Sequence, residues 1–163
     1  MSKILDVAQY IYDYYKELTQ EQIDELKLQK LLYFCQREKL ALMNEPLFND
    51  EMQGWIHGPV SPLVRSYYDK TEGIMTDVST LSDEDRYIIR NVINQYGNIA
   101  SWKLRNMSHD EYSWQQSRIG LLPNQRGSKV ISIDDIRLDA DKVRPFDYQW
   151  GMYYDEFEDV EDQ

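Results

Sequence analysis

A chain of 163 residues with 42% hydrophobic residues is long enough for one domain with a real core, and 29 acidic against 18 basic side chains give it a net charge of −11. That balance argues against direct nucleic-acid binding or attachment to an anionic membrane over the whole surface, because both need a basic patch, and it favours basic partners. One cysteine makes no intrachain disulfide or thiolate zinc site and points to a reducing, cytoplasmic setting.

No apolar run approaches the ~20 residues of a bilayer span, and Asp6 comes too early for a signal peptide. The mean hydropathy of −0.68 is polar, yet 13% aromatic residues argue against disorder throughout.

In chain order, Ile4, Ala8, Ile11, Tyr15 and Leu18 recur at spacings of three and four and predict an amphipathic helix over residues 3–18. Leu28, Leu31, Leu32, Cys35 and Leu42 predict a second helix over residues 24–43. Lys27, Lys30, Arg37 and Lys39 lie mostly off that stripe, as a solvated face would place them. Asn44-Glu45-Pro46 ends this helix, and a short strand fits near Met52–Ile56. His57-Gly58-Pro59-Val60 reads as a turn, with Ser61 as cap and Pro62 as first residue of a helix through Val64 and Tyr68.

Residues 71–80 read as loop. Ser82 followed by Asp83, Glu84 and Asp85 opens a helix whose apolar face is Ile89, Val92, Ile93 and Tyr96, with Gly97 as its stop. A short helix over residues 99–107 follows. Ser108-His109-Asp110-Glu111 has the form of a capping box opening a helix through Trp114. Residues 121–128 form a Pro/Gly loop, and Val130–Ile133 is a short strand or the lead into a last helix from Asp134. The fold class expected is mainly α: a compact single-domain helical fold over residues 1–144 with at most a small β element, plus an acidic aromatic C-terminal tail over residues 145–163.

The charge is uneven. Residues 1–133 hold 18 acids and 15 bases, whereas residues 134–163 hold 11 acids and 3 bases. Tyr153, Tyr154 and Phe157 stand among the last acids. The segment reads either as a solvated terminus or as a binding segment for a basic surface.

Motifs for chemistry are sparse. His57, His109 and Cys35 lack metal-ligand spacing, so no metal site and no cofactor are expected. Neither a phosphate-binding glycine loop nor a nucleophile elbow occurs. A thiol hydrolase using Cys35 with His57 or His109 is conceivable, but a cysteine in an apolar stripe usually acts as a small hydrophobe. Trp55, Trp102 and Trp114 read as core pieces, each anchored by one hydrogen bond. His57 and His109, beside a turn and near a helix start, can pin a loop or face a partner.

The run Leu26-Lys27-Leu28-Gln29-Lys30-Leu31-Leu32-Tyr33-Phe34-Cys35-Gln36 resembles the opening motif of the Panacea domain, the family of SocA-like and phage-associated GepA-like antitoxins. Glu45–Asp50 follows, then Met52-Gln53-Gly54-Trp55-Ile56-His57-Gly58-Pro59-Val60, similar to the family's Trp-x-x-Gly-Pro-Val segment. Leu104 and Ser108–Trp114 resemble its helix and Ser/Thr-His-x-Glu-x-x-Trp motif. The similarity spans about residues 4–140. Gly54 stands where the family usually has alanine, and the chain after about Arg144 has no counterpart in the shared core.

The resemblance implies a helical, non-catalytic antitoxin, common in prophages and mobile elements, that neutralises a cognate toxin from a neighbouring gene by direct binding. In one branch it also serves as adaptor to a cytoplasmic AAA+ protease. Candidate partner-binding residues are Trp55, His57, Pro59, His109, Glu111 and Trp114, with Tyr153, Tyr154 and Phe157 in the tail. The alternative is a phage-encoded acidic inhibitor or decoy of a host nucleic-acid-acting or defence enzyme.

Overall fold

The computed structural model describes residues 3–69, 73, 74, 76, 78 and 80–156. Among them are seven α-helices and two small antiparallel hairpins: α1 (Lys3–Thr19), α2 (Glu25–Met43), β1 (Gln53–Trp55), β2 (Gly58–Val60), α3 (Pro62–Tyr67), α4 (Asp83–Tyr96), α5 (Ser101–His109), α6 (Tyr112–Ser117), α7 (Ile133–Ala140), β3 (Phe146–Asp147) and β4 (Met152–Tyr153). The fold is mainly α, as expected. No helix among the described residues is long and apolar enough to cross a membrane.

Helix α2 is the axis of the molecule, packed by α1, α4, α5, α7 and β2. Leu28, Leu31, Leu32, Tyr33, Phe34 and Cys35 are all buried, so its apolar side chains occupy more than one stripe. They meet Ile4, Val7 and Ile11 of α1, Ile89, Val92 and Ile93 of α4, Leu104 of α5 and Ile136 of α7 in one core. Asp24 starts the helix by accepting from the Lys27 amide at 2.8 Å. Asn44, in the left-handed conformation, ends it ahead of Pro46.

The solvated cationic face expected on α2 does not exist. Lys27, Lys30 and Lys39 are buried and Arg37 is partly buried. Neighbouring elements cover every side of the helix, so each cation must find an acceptor inside. Lys27 Nζ donates to Gly97 O (2.8 Å), Lys30 Nζ to Pro59 O (2.6 Å) and Lys39 Nζ to Asp85 (3.1 Å); Arg37 pairs with Glu111 and donates to the Tyr96 hydroxyl. The uncharged polar residues do the same. Gln36 donates to Phe48 O and accepts from the Leu47 and Phe48 amides, which pins the chain after α2.

Ser82 and Asp85 form a true capping box at α4. Asp85 also receives Lys3 and Lys39. Burial alone would raise its pKa, but these two ammonium groups outweigh that and hold it below the usual carboxylate value.

Three local expectations are corrected. Ser108 does not cap α6: it lies in the last turn of α5, and its hydroxyl donates to Arg105 O. Asp139 of α7 caps α6 instead, accepting from the amides of Tyr112 and Ser113 at 2.8 Å each. Trp102 is 64% exposed rather than part of the core, because α5 packs through Leu104 and Ser108, and Trp102 falls on the other side of the helix. Leu18 is also exposed, as the stripe of α1 runs past the core.

Residues 146–153 fold back as a hairpin, with Phe146 opposite Tyr153 and Asp147 opposite Met152. Asn91 of α4 binds it through Phe146 O and the Tyr148 amide. Asp147 caps its turn at the Trp150 amide and accepts from the Tyr87 hydroxyl.

Candidate partner-binding site

The site is built on the β1–β2 hairpin. Gly58 has φ +109°, a conformation that side chains rarely tolerate, and a Cβ there would meet Ser108 Oγ and Lys30 Cε. Beneath it, Lys30 holds Pro59 O. Gln29 clamps Ser61, two residues on, accepting from its amide at 2.8 Å and donating to its carbonyl at 3.2 Å. Ser61 in turn caps α3 at the Val64 amide, and Pro62 is its first residue, as the sequence predicts. The motif on α2 is thus the underside of the hairpin.

The outer side is aromatic. The His109 ring stacks on Trp114 with centroids 4.1 Å apart and planes 7° from parallel. Trp114 Nε1 donates to Trp55 O, tying α6 to β1, and Trp55 Nε1 donates to Gln53. Both are partly buried and each is anchored by one hydrogen bond. Arg105 approaches His57 Nδ1 at 3.4 Å. Burial and the Arg105 charge hold the His109 pKa below its ordinary value, so its ring stays neutral at pH 7.

Trp55, His57, His109 and Trp114 therefore meet on the outer side of the hairpin, whereas Pro59 is buried, with its carbonyl on Lys30. Glu111 faces inward to Arg37, and burial pushes its carboxyl up to about 7 despite that partner. Tyr153 and Tyr154 belong to the C-terminal hairpin on α4: Arg144 lies over the Tyr153 ring at 3.8 Å, and Tyr154 donates to the Tyr87 hydroxyl at 2.9 Å. Phe157 lies outside the described residues.

Cys35 is buried in the core, among apolar side chains. Burial raises its thiol pKa well above the ordinary value, which keeps it protonated. Among the described residues no group of three His, Cys, Asp or Glu side chains is placed to hold a metal ion.

The residues that sequence reasoning missed are Gln29 and Lys30, whose polarity reads as solvent exposure, and residues 117–129, which form the facing wall. Between that wall and the hairpin lies a groove of about 810 Å3. Arg118 fixes the wall by donating to Gly54 O (3.3 Å), Leu122 O (3.2 Å) and Gln125 O (2.6 Å). Gly54 permits the close approach, since a Cβ there would run into the Ser117 hydroxyl.

A family model described as "Antitoxin SocA-like, Panacea domain" matches residues 28–115, more than half of the chain. The chain belongs to this family. The Panacea match takes in nearly all of α2, both strands of the first hairpin, and α3 through the first turn of α6, which are the elements that carry the aromatic cluster. It stops before the wall at 117–129 and the C-terminal hairpin. No curated protein and no solved structure matches the chain.

Proposed function

We propose that this Panacea protein is a non-catalytic antitoxin that neutralises a cognate protein toxin by direct binding. The family match carries the reading, and it falls on the residues that assemble the hairpin platform of Trp55, His57, His109 and Trp114. Aromatic rings with a polar edge, held on a pinned scaffold, are the side chains that dominate protein interfaces. Delivery of the bound toxin to an AAA+ protease would use the same complex. The acidic residues at the C-terminus support this reading by offering a counter-charge to a toxin whose active surface is basic.

The test is co-expression with the adjacent open reading frame. The neighbour alone arrests growth, the pair grows, and the two proteins co-purify. A neighbour that is harmless alone, or still lethal beside this protein, sinks the reading. Replacing Trp114 with alanine removes the stacking partner of His109 and the anchor on Trp55 O, and is expected to weaken neutralisation while α2 and the core remain folded.

A further inference from the structure

Resting on that antitoxin reading, we infer that the groove between the β1–β2 hairpin and residues 117–129 receives an extended segment of the toxin in which apolar side chains are flanked by carboxylates. The floor is apolar, formed by Trp55, Ile56, Val60, Ile119 and Leu121. Ile119 is 69% exposed at its edge, an apolar surface with no covering element among the described residues. The rim is cationic in a chain of net charge −11. Arg126 and Lys129 are exposed, and neither makes an ion pair among the described residues. Arg65 reaches over the Trp55 ring at 5.6 Å. Among the described residues the one acid in the lining, Glu25, is already engaged by Arg65 at 3.1 Å. Apolar floor and unpaired cations together select a segment with apolar anchors and negative flanks.

Both walls are fixed before any partner arrives. Gln29 and Lys30 hold the hairpin, and Arg118 holds the facing loop by its carbonyls. Little ordering entropy is then lost on binding, which suits capture of a linear segment. One wall lies in the family-matched residues and the other beyond residue 115, so the groove joins a shared surface to one particular to this chain. The second wall is where partner choice resides.

The test uses the full-length protein and a fluorescein-labelled peptide, Leu-Glu-Asp-Leu-Phe-Glu-Asp, beside a counterpart with lysine at every acidic position. Fluorescence polarisation is expected to show the acidic peptide binding about tenfold or more tighter than the basic one, a preference that shrinks with added salt. The exposed double variant Arg126→Glu/Lys129→Glu keeps the circular dichroism of the parent and loses or reverses the preference. Equal binding of both peptides, or an unchanged preference in the double variant, overturns the inference. If removing residues 157–163 tightens the acidic peptide about tenfold, the chain's own C-terminal segment is the occupant and the inference falls. The toxin found by co-expression is expected to displace the peptide. A toxin that is neutralised yet leaves the peptide bound overturns the groove assignment and preserves the antitoxin reading. A failed co-expression assay beside an intact peptide preference removes the antitoxin and leaves the groove chemistry standing.

Discussion

Gly54 shows how much a single missing methyl can decide. The space that a Cβ would need there is taken by the Ser117 hydroxyl. Gly54→Ala is therefore expected to lower stability by about 1–3 kcal/mol, as overpacking does, and Ser117→Gly in the same chain should return most of the loss. Thermal unfolding of the two single variants and the double variant checks the coupling; independent, additive effects would mean the two residues do not compete for the space. Lys30 is the other decisive residue. Burial lowers its pKa from 10.5 to about 7, with Glu25 opposing weakly. The unfolded lysine stays protonated up to its ordinary pKa, so between pH 7 and 10.5 the unfolded state binds more protons and stability rises with pH across that window. Lys30→Met should remove this rise. Urea melts of both proteins at pH 7 and pH 9.5 measure it, and parallel pH dependences would show that Lys30 does not titrate there.

At the scale of elements, α6 is held by a group far along the chain. Asp139 of α7 accepts both first amides of α6 and, at 3.1 Å, the hydroxyl of Tyr33, itself bonded to Ser113 at 2.8 Å. Asp139→Ala leaves the Tyr112 and Ser113 amides without their acceptor and the Tyr33 hydroxyl with Ser113 alone, so a loss of about 2–4 kcal/mol is expected. The displaced α6 should also loosen Trp114, visible as a red shift of tryptophan emission. Ordinary melting with unchanged emission would show that the cap is dispensable. This long-range cap explains why the sequence reading of Ser108–Glu111 failed: the local pattern was present, but a tertiary acceptor took the amides. By contrast α1, the Ser61-Pro62 start of α3, the Ser82 cap and the strand near Trp55 were legible because local rules and core packing agree there; the pairing of that strand with Gly58–Val60 was not, since those residues read as a turn. In α2 they do not. Lysine and glutamine look solvent-facing by composition, and only the carbonyls of Pro59 and Gly97 and the backbone of Ser61 and Phe48, brought from elsewhere, make their burial tolerable. The groove was illegible for the same reason, its two walls lying some sixty residues apart in the chain.

At the scale of the whole molecule, the acidic surplus divides between a docked hairpin and residues beyond it. Deleting residues 145–163 removes the partners of Asn91 and Tyr87 and should destabilise the protein, whereas deleting only residues 157–163 should leave the melting temperature unchanged and weaken toxin binding in a salt-dependent manner. Calorimetry with binding at two ionic strengths separates the two; a large stability loss from the shorter deletion would assign those residues to the fold. The remaining balance comes from α2, whose polar side chains are satisfied by loops drawn from residues 47–48, 59–61 and 97. Those loops cannot open one at a time without leaving an ammonium or a carboxamide inside the apolar interior. Local opening there is thus expected to be costly. The amides of the first hairpin should therefore exchange their hydrogens as slowly as those of the central helix.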